Sequence, residues 1–162
     1  MRILKGIALV GFDLEPGERG LIRCEISGGD LLATNEALHI SLRQPQTSRR
    51  IEWWQVKRAF FDPEATTLVI GLENDQLDFV LTSPSLLPET VRERVTSTIL
   101  TSITFAPGSR DDDARAVISL RRRPTSEGEV TFTEIDWQGS PSESLRAQAE
   151  RRGQWLRQQA YG

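Results

Sequence analysis

Leu31-Leu-Ala-Thr-Asn-Glu-Ala-Leu-His-Ile-Ser-Leu42 decides the fold class. Leu38, Ile40 and Leu42 alternate with His39 and Ser41, which is the two-residue period of a strand with one apolar face. Leu31–Asn35 and Ala37–Leu42 read as two strands in succession. Ser27-Gly28-Gly29-Asp30 stands just before this stretch and reads as a tight turn, because glycine reaches positive φ without strain. Leu21–Ile26 precedes it as a further strand.

The same grammar continues downstream. Arg43–Ser48 reads as a polar loop containing Pro45. Arg49–Trp53 and Val56–Phe61 read as strands separated by a kink, and Asp62-Pro-Glu-Ala65 reads as a turn. Thr66–Leu72 aligns Leu68, Ile70 and Leu72, and Gln76–Thr82 aligns Leu77, Phe79 and Leu81. Seven short strands at roughly ten-residue spacing, with connections too short for parallel crossovers, predict an antiparallel barrel or sandwich. The period then changes. Pro88 suits a first helical turn, and Val91, Val95 and Ile99 form one apolar stripe, so a helix is expected over 87–103. The expected core is Leu38, Ile40, Ile51, Val56, Leu68, Ile70, Phe79, Leu81, Val91, Val95 and Ile99.

Residues 106–113, Ala-Pro-Gly-Ser-Arg-Asp-Asp-Asp, join Pro, Gly and Ser to a charge run and read as a linker. Cleavage favouring this stretch over the hairpins is what limited proteolysis should find. Beyond it, Arg115–Arg123 and Glu129–Trp137 read as a hairpin. A turn centred on Ser126 pairs Arg123 with Glu129, Leu120 with Phe132 and Val117 with Ile135. Ser142–Gln159 reads as a closing helix with Leu145, Ala149, Trp155 and Leu156 on its apolar side, weakened by Gly153. At the other end, residues 1–20 form an apolar opening and a turn at Pro16-Gly17. The apolar stretch is too short for a secretory core, and no small-residue cleavage site follows it.

Seven antiparallel strands followed by one amphipathic helix is the order of the pleckstrin-homology (PH) superfold. Leu31–Ile40 resembles the second and third strands of an uncharacterised bacterial PH-like family. Arg50-Ile-Glu-Trp-Trp-Gln-Val-Lys-Arg-Ala59 resembles the motif that follows them, and Asp62–Val69 continues with the hairpin that motif leads into. The resemblance covers residues 18–103, and less specifically the C-terminal hairpin and helix. It implies a mainly β (α+β) protein. Its first part (1–105) is a PH-like seven-stranded antiparallel barrel capped by a helix. After the 106–113 linker, a β-hairpin and helix (114–162) pack on that barrel. The family brings no catalytic residues.

Composition narrows the chemistry. The 162 residues are 38% hydrophobic and 27% charged, which describes a folded globular chain. The 20 basic residues stand against 23 acidic ones, and neither part is basic, so nucleic acid is not an expected partner. The excess of Arg over Lys reads as the codon bias of a GC-rich bacterial genome. One cysteine, Cys24, makes no internal disulfide, which fits a cytoplasmic protein. One cysteine and one histidine do not furnish a zinc site, and Asp111–Asp113 lack the spacing of a calcium loop. No phosphate-binding glycine motif occurs, so no metal and no cofactor are expected. Cys24 reads as buried packing. His39 reads as a lone surface histidine, and Arg121–Arg123 read as cross-strand ion pairs with Glu129 and Glu134.

Trp53 and Trp54 are adjacent, so an extended chain sends them to opposite sides. One fills the core, and the other is left partly exposed or is covered by residues 1–20 or the last helix. With Arg43, Arg49 and Arg50 they make the candidate interaction surface. Lipid-binding PH domains gather basic residues around the first two strands and their loop. The corresponding loop here, Ser27–Asp30, ends in an acid, which argues against phosphoinositide. The first expectation is therefore a non-enzymatic protein-interaction or scaffold module with an unknown protein or peptide partner. PH-type barrels accept a peptide strand at an open sheet edge beside the helix. The alternatives are a structural homodimer through an edge strand or exposed Trp, a small hydrolase using His39 with a serine and an aspartate, and a weak contact with anionic membranes through Arg43, Arg49 and Arg50.

Overall fold

The computed structural model describes residues 11–107 and 114–161. The chain divides into two compact units, residues 1–96 and 97–162. Among the described residues, ten strands form three antiparallel sheets, with two α-helices.

The first unit opens with a four-stranded meander: β1 (Gly20–Ile26), β2 (Gly29–Thr34), β3 (Ala37–Arg43) and β4 (Gln46–Glu52). A 3₁₀ turn, Trp53–Gln55, leads to a three-stranded meander of β5 (Arg58–Asp62), β6 (Thr67–Gly71) and β7 (Gln76–Val80). Helix α1 (Leu87–Ser97) follows. The strand count and order match the sequence expectation. Among the described residues these strands form two sheets and not the expected closed barrel. The ends of β1 and β7 meet at one bridge, Ile26 to Leu81. Backbone bonds from Ser27 N to Val80 O (2.8 Å) and from Thr82 N to Glu25 O (3.2 Å) flank it.

The core lies between the inward faces of these sheets and α1. Leu38 and Ile40 of β3, Ile51 of β4, Leu68 and Ile70 of β6, Phe79 of β7, and Leu81 pack there with Val56, Leu87, Val91 and Val95. Each strand contributes alternate residues, and α1 contributes one residue per turn. Ten of the eleven expected core residues are buried in this cluster. Ile99 is not, because α1 ends at Ser97 and Ile99 opens a strand, 37% exposed. Two turns also differ from the expected loops. Strand β4 begins at Gln46, since Arg43 and Gln46 pair directly across Gln44-Pro45. At the β1–β2 turn a side chain on Gly29 would overlap the Ser41 carbonyl of β3, so this position accepts only glycine.

The second unit is a sheet with β9 (Arg115–Thr125) between β8 (Ile99–Phe105) and β10 (Gly128–Gln138). Helix α2 (Glu143–Tyr161) packs on β9 and β10. The hairpin is present, but its register differs by one residue from the expected one. Pro124 faces Glu129, Leu120 faces Thr133 and Ile118 faces Ile135. The turn is the two-residue Ser126-Glu127, closed by Gly128 at φ +126°. A one-residue slip exchanges the faces of one strand relative to its partner; Ile118 and Leu120 are buried and Val117 is exposed. Leu145, Ala149 and Leu156 of α2 are buried, while Trp155 is 45% exposed with the Arg152 guanidinium over its ring. Gly153 lies where the helix comes closest to the sheet. A Cβ there would sit 2.6 Å from Thr133 Cγ2. The expected linker falls mostly on residues outside the described ones.

Candidate functional site: an open strand edge and its grooves

The only histidine sits in a buried polar cluster. Alternation directs His39 to the outer face of the first sheet, in a row with Arg23, Leu32 and Arg50 of neighbouring strands. The expectation of a surface histidine is corrected here, because residues 11–19 cover that face. His39 is 5% exposed, with its Nε2 2.6 Å from Glu18 Oε1 and the Phe12 ring edge-on at 6.1 Å. The Glu18 carboxylate also accepts hydrogen bonds from Thr34 Oγ1 (2.6 Å) and from the Glu15 backbone N–H (2.9 Å). Burial alone would raise the pKa of Glu18. The bonds from Thr34, from the Glu15 N–H and from His39, together with the His39 charge, outweigh it and hold the carboxyl below its ordinary value. An ionised carboxylate only accepts, so His39 Nε2 carries the proton of this bond.

This arrangement does not resemble a hydrolytic triad. The Thr34 hydroxyl gives its proton to Glu18 and accepts the N–H groups of Glu36 (3.1 Å) and Ala37 (3.0 Å). It closes the β2–β3 turn and is not poised beside an imidazole base. The cluster fastens residues 11–19 to the sheet. Cys24 is buried as expected, and burial raises its thiol pKa. Among the described residues, no group of three or more His, Cys, Asp or Glu can hold a metal ion, and no helix is long and apolar enough to cross a membrane.

Of the five residues expected to form an interaction surface, Trp54 and Arg50 meet at Glu52, Trp53 is buried, and each arginine lies beside an acid. Trp53 and Trp54 occupy the 3₁₀ turn and not an extended segment. Trp53 is 3% exposed and its indole N–H donates to the Thr34 carbonyl (2.9 Å). Trp54 is half-buried and donates to Glu52 Oε2 (2.9 Å). Each arginine faces carboxylates: Arg43 faces Asp30 (3.6 Å), Arg49 faces Asp75 (3.3 Å), and Arg50 lies 3.4–3.5 Å from Glu15, Glu18, Glu36 and Glu52. Arginines already paired with acids present little positive field to an anionic surface.

The open feature lies at β5 instead. It is the edge strand of its sheet, and Phe60 is 59% and Phe61 37% exposed. Adjacent strand residues point to opposite faces. Phe61 faces α1 alongside Ala59, opposite Leu68 and Ile70, whereas Phe60 lies on the outer face opposite Val69. A groove of about 420 Å³ runs beside the edge, lined by Ala59, Phe60, Phe61 and Leu68 and by Pro88, Glu89 and Arg92 of α1. A second, of about 430 Å³, also touches Phe61 and is lined by Pro63, Thr66, Leu81, Thr82, Ser83, Pro84 and Ser85. Both fall in the size range of ligand sites, and both are open clefts. The sequence signal for this site was the Phe60-Phe61 pair, since two adjacent aromatics in one strand cannot both enter one core.

Comparison with known proteins finds no matching family model, no similar curated protein and no similar solved structure.

Proposed function

We propose that the chain is a non-enzymatic protein-interaction module that accepts an extended strand along β5. The observation that carries this is the edge itself: among the described residues β5 pairs with a strand on one side only, and it is bordered by exposed Phe60 and Phe61 and by a groove beneath α1. Strand addition of this kind draws affinity from main-chain bonds and specificity from alternate side chains in pockets. Exposed hydrophobic edges are otherwise avoided in folded proteins, which supports a use for this one. The order of a four-stranded meander, a three-stranded meander and a helix supports the PH-like reading of the first unit. The engagement of His39 by Glu18 and the burial of Cys24 favour binding over catalysis.

The test is selection of a phage-displayed random peptide library on the full chain, with the Phe60→Asp/Phe61→Asp double variant as the subtractive control. Peptides retained only by the native chain, and slowing amide exchange across Arg58–Asp62, are the expected result. Peptides that bind both proteins equally and leave β5 exchange unchanged would contradict the proposal.

A further inference from the structure

Building on that reading of the β5 edge, we infer that the strand it accepts is β5 of a second copy of this chain, forming a two-fold dimer centred on Phe60. The register of β5 supports this pairing. The strand reads Arg58-Ala59-Phe60-Phe61-Asp62. An antiparallel pair about a two-fold axis at Phe60 sets Arg58 opposite Asp62, Ala59 opposite Phe61, and Phe60 opposite itself. Every pair is complementary. Opposite charges and aromatic pairs are the favoured cross-strand partners, and an isologous contact requires self-complementarity of this kind.

The two faces of the joined strands suit the structure on each side. On the outer face, Phe60 is 59% exposed, and it meets its symmetry mate with an Arg58–Asp62 pair on either flank. Asp62 Oδ1 accepts the N–H groups of Glu64 (3.0 Å) and Ala65 (3.3 Å), and no hydrogen bond among the described residues engages Oδ2. On the inner face, the small Ala59 leaves the groove of about 420 Å³ under α1 open at the edge. The register sets Phe61 of the second copy beside Ala59 and directs its ring into that groove. Both grooves fill at once, because the contact is symmetric. Moving the two-fold axis by half a residue either way sets Arg58 against Phe61 or Asp62 against Ala59 and loses both charge pairs. The joined sheet has six strands in the order β7-β6-β5-β5-β6-β7.

Sedimentation of the full chain reads this directly. The interface is short, so dimer is expected at concentrations of about 100 µM and monomer on dilution. The upper mass is twice the 18.2 kDa of the chain. Arg58→Asp sets acid against acid, and Asp62→Arg sets base against base, so each variant alone should associate at least roughly tenfold more weakly. An equal mixture of the two restores opposite charges at both positions and should sediment as a heterodimer. Phe60→Cys supplies a second reading that needs no charge change. A short bis-maleimide should cross-link it into dimers, while the native chain, with Cys24 buried, should not react. A native chain that stays monomeric overturns the inference. So does a dimer that persists in Arg58→Asp and does not cross-link through Phe60→Cys. If the chain is monomeric yet library peptides slow β5 exchange, the edge is an interaction site and only the choice of partner is wrong. If neither occurs, both proposals fail.

Discussion

Replacing Glu18 with alanine should destabilise the first unit by about 3 kcal/mol, because breaking a buried ionic and hydrogen-bonded group typically costs 3–5 kcal/mol and individual bonds to charged groups about 1.5–3. The Glu18 side chain is 0% exposed and accepts three hydrogen bonds, from Thr34, His39 and the Glu15 N–H. Two of these donors recover in part. Thr34 can turn to the Ala37 carbonyl, already 3.1 Å away, and the Glu15 N–H lies near solvent. His39 Nε2 and the buried Arg50 Nε have no comparable substitute, which puts the figure at the lower end of the range. Denaturant-dependent hydrogen exchange of β2 and β3 amides measures the change in this unit alone. The same substitution should loosen residues 11–19, read as faster exchange there. Acid should act through the same group. A carboxyl whose folded pKa lies below its unfolded value stabilises the fold above the unfolded pKa and loses that contribution as pH falls through the folded one. Glu18→Gln should therefore remove part of the acid sensitivity of the native unit. A loss below about 1 kcal/mol in Glu18→Ala, with unchanged exchange in residues 11–19, would refute the assignment of this cluster as the fastening of that segment.

Other sites give sharper local outcomes. Gly29→Ala should cost about 3 kcal/mol in urea unfolding, since its methyl group meets the Ser41 backbone carbonyl and the β2–β3 pair has to move. Arg121 is 1% exposed and bonds Glu134 (2.8 Å) and Thr98 (2.7 Å), so Arg121→Ala should destabilise the second unit by about 3 kcal/mol. A paired Arg121→Met/Glu134→Leu replacement should recover most of that loss. Cys24 should resist thiol reagents in the native chain and react at the rate of local or global opening, because burial disfavours the thiolate.

Those sites also mark how far the residues themselves carried the fold. Two-residue alternation located all seven strands of the first unit, because a half-buried strand leaves its pattern in the chain, and the helical stripe added Val91 and Val95 to the core. The extent of α1 was not legible in the same way. Val91, Val95 and Ile99 satisfy a helical stripe, and only the β-branched run Thr98, Ile99, Thr101, Ile103 and Thr104 hints that pairing with β9 takes over. The β9–β10 register turned on one residue of turn length, which both candidate turns satisfied in composition. His39 was directed to the correct face, yet its burial depends on residues 11–19, distant in sequence. The candidate site moved for a related reason. Local spacing sends one of Trp53 and Trp54 into the core, and the 3₁₀ turn makes that one Trp53, but spacing does not show that acids from other elements meet each arginine. The Phe60-Phe61 pair, read only as part of the strand Val56–Phe61, is exposed.

Amide exchange across Arg58–Asp62 tests most directly whether β5 is a working edge. Exchange there should slow as the native chain is concentrated from about 1 to about 200 µM, a range chosen for a small interface, and Arg58→Asp should abolish the slowing. Exchange that is identical at every concentration, and identical in the presence of library-selected peptides, would contradict it.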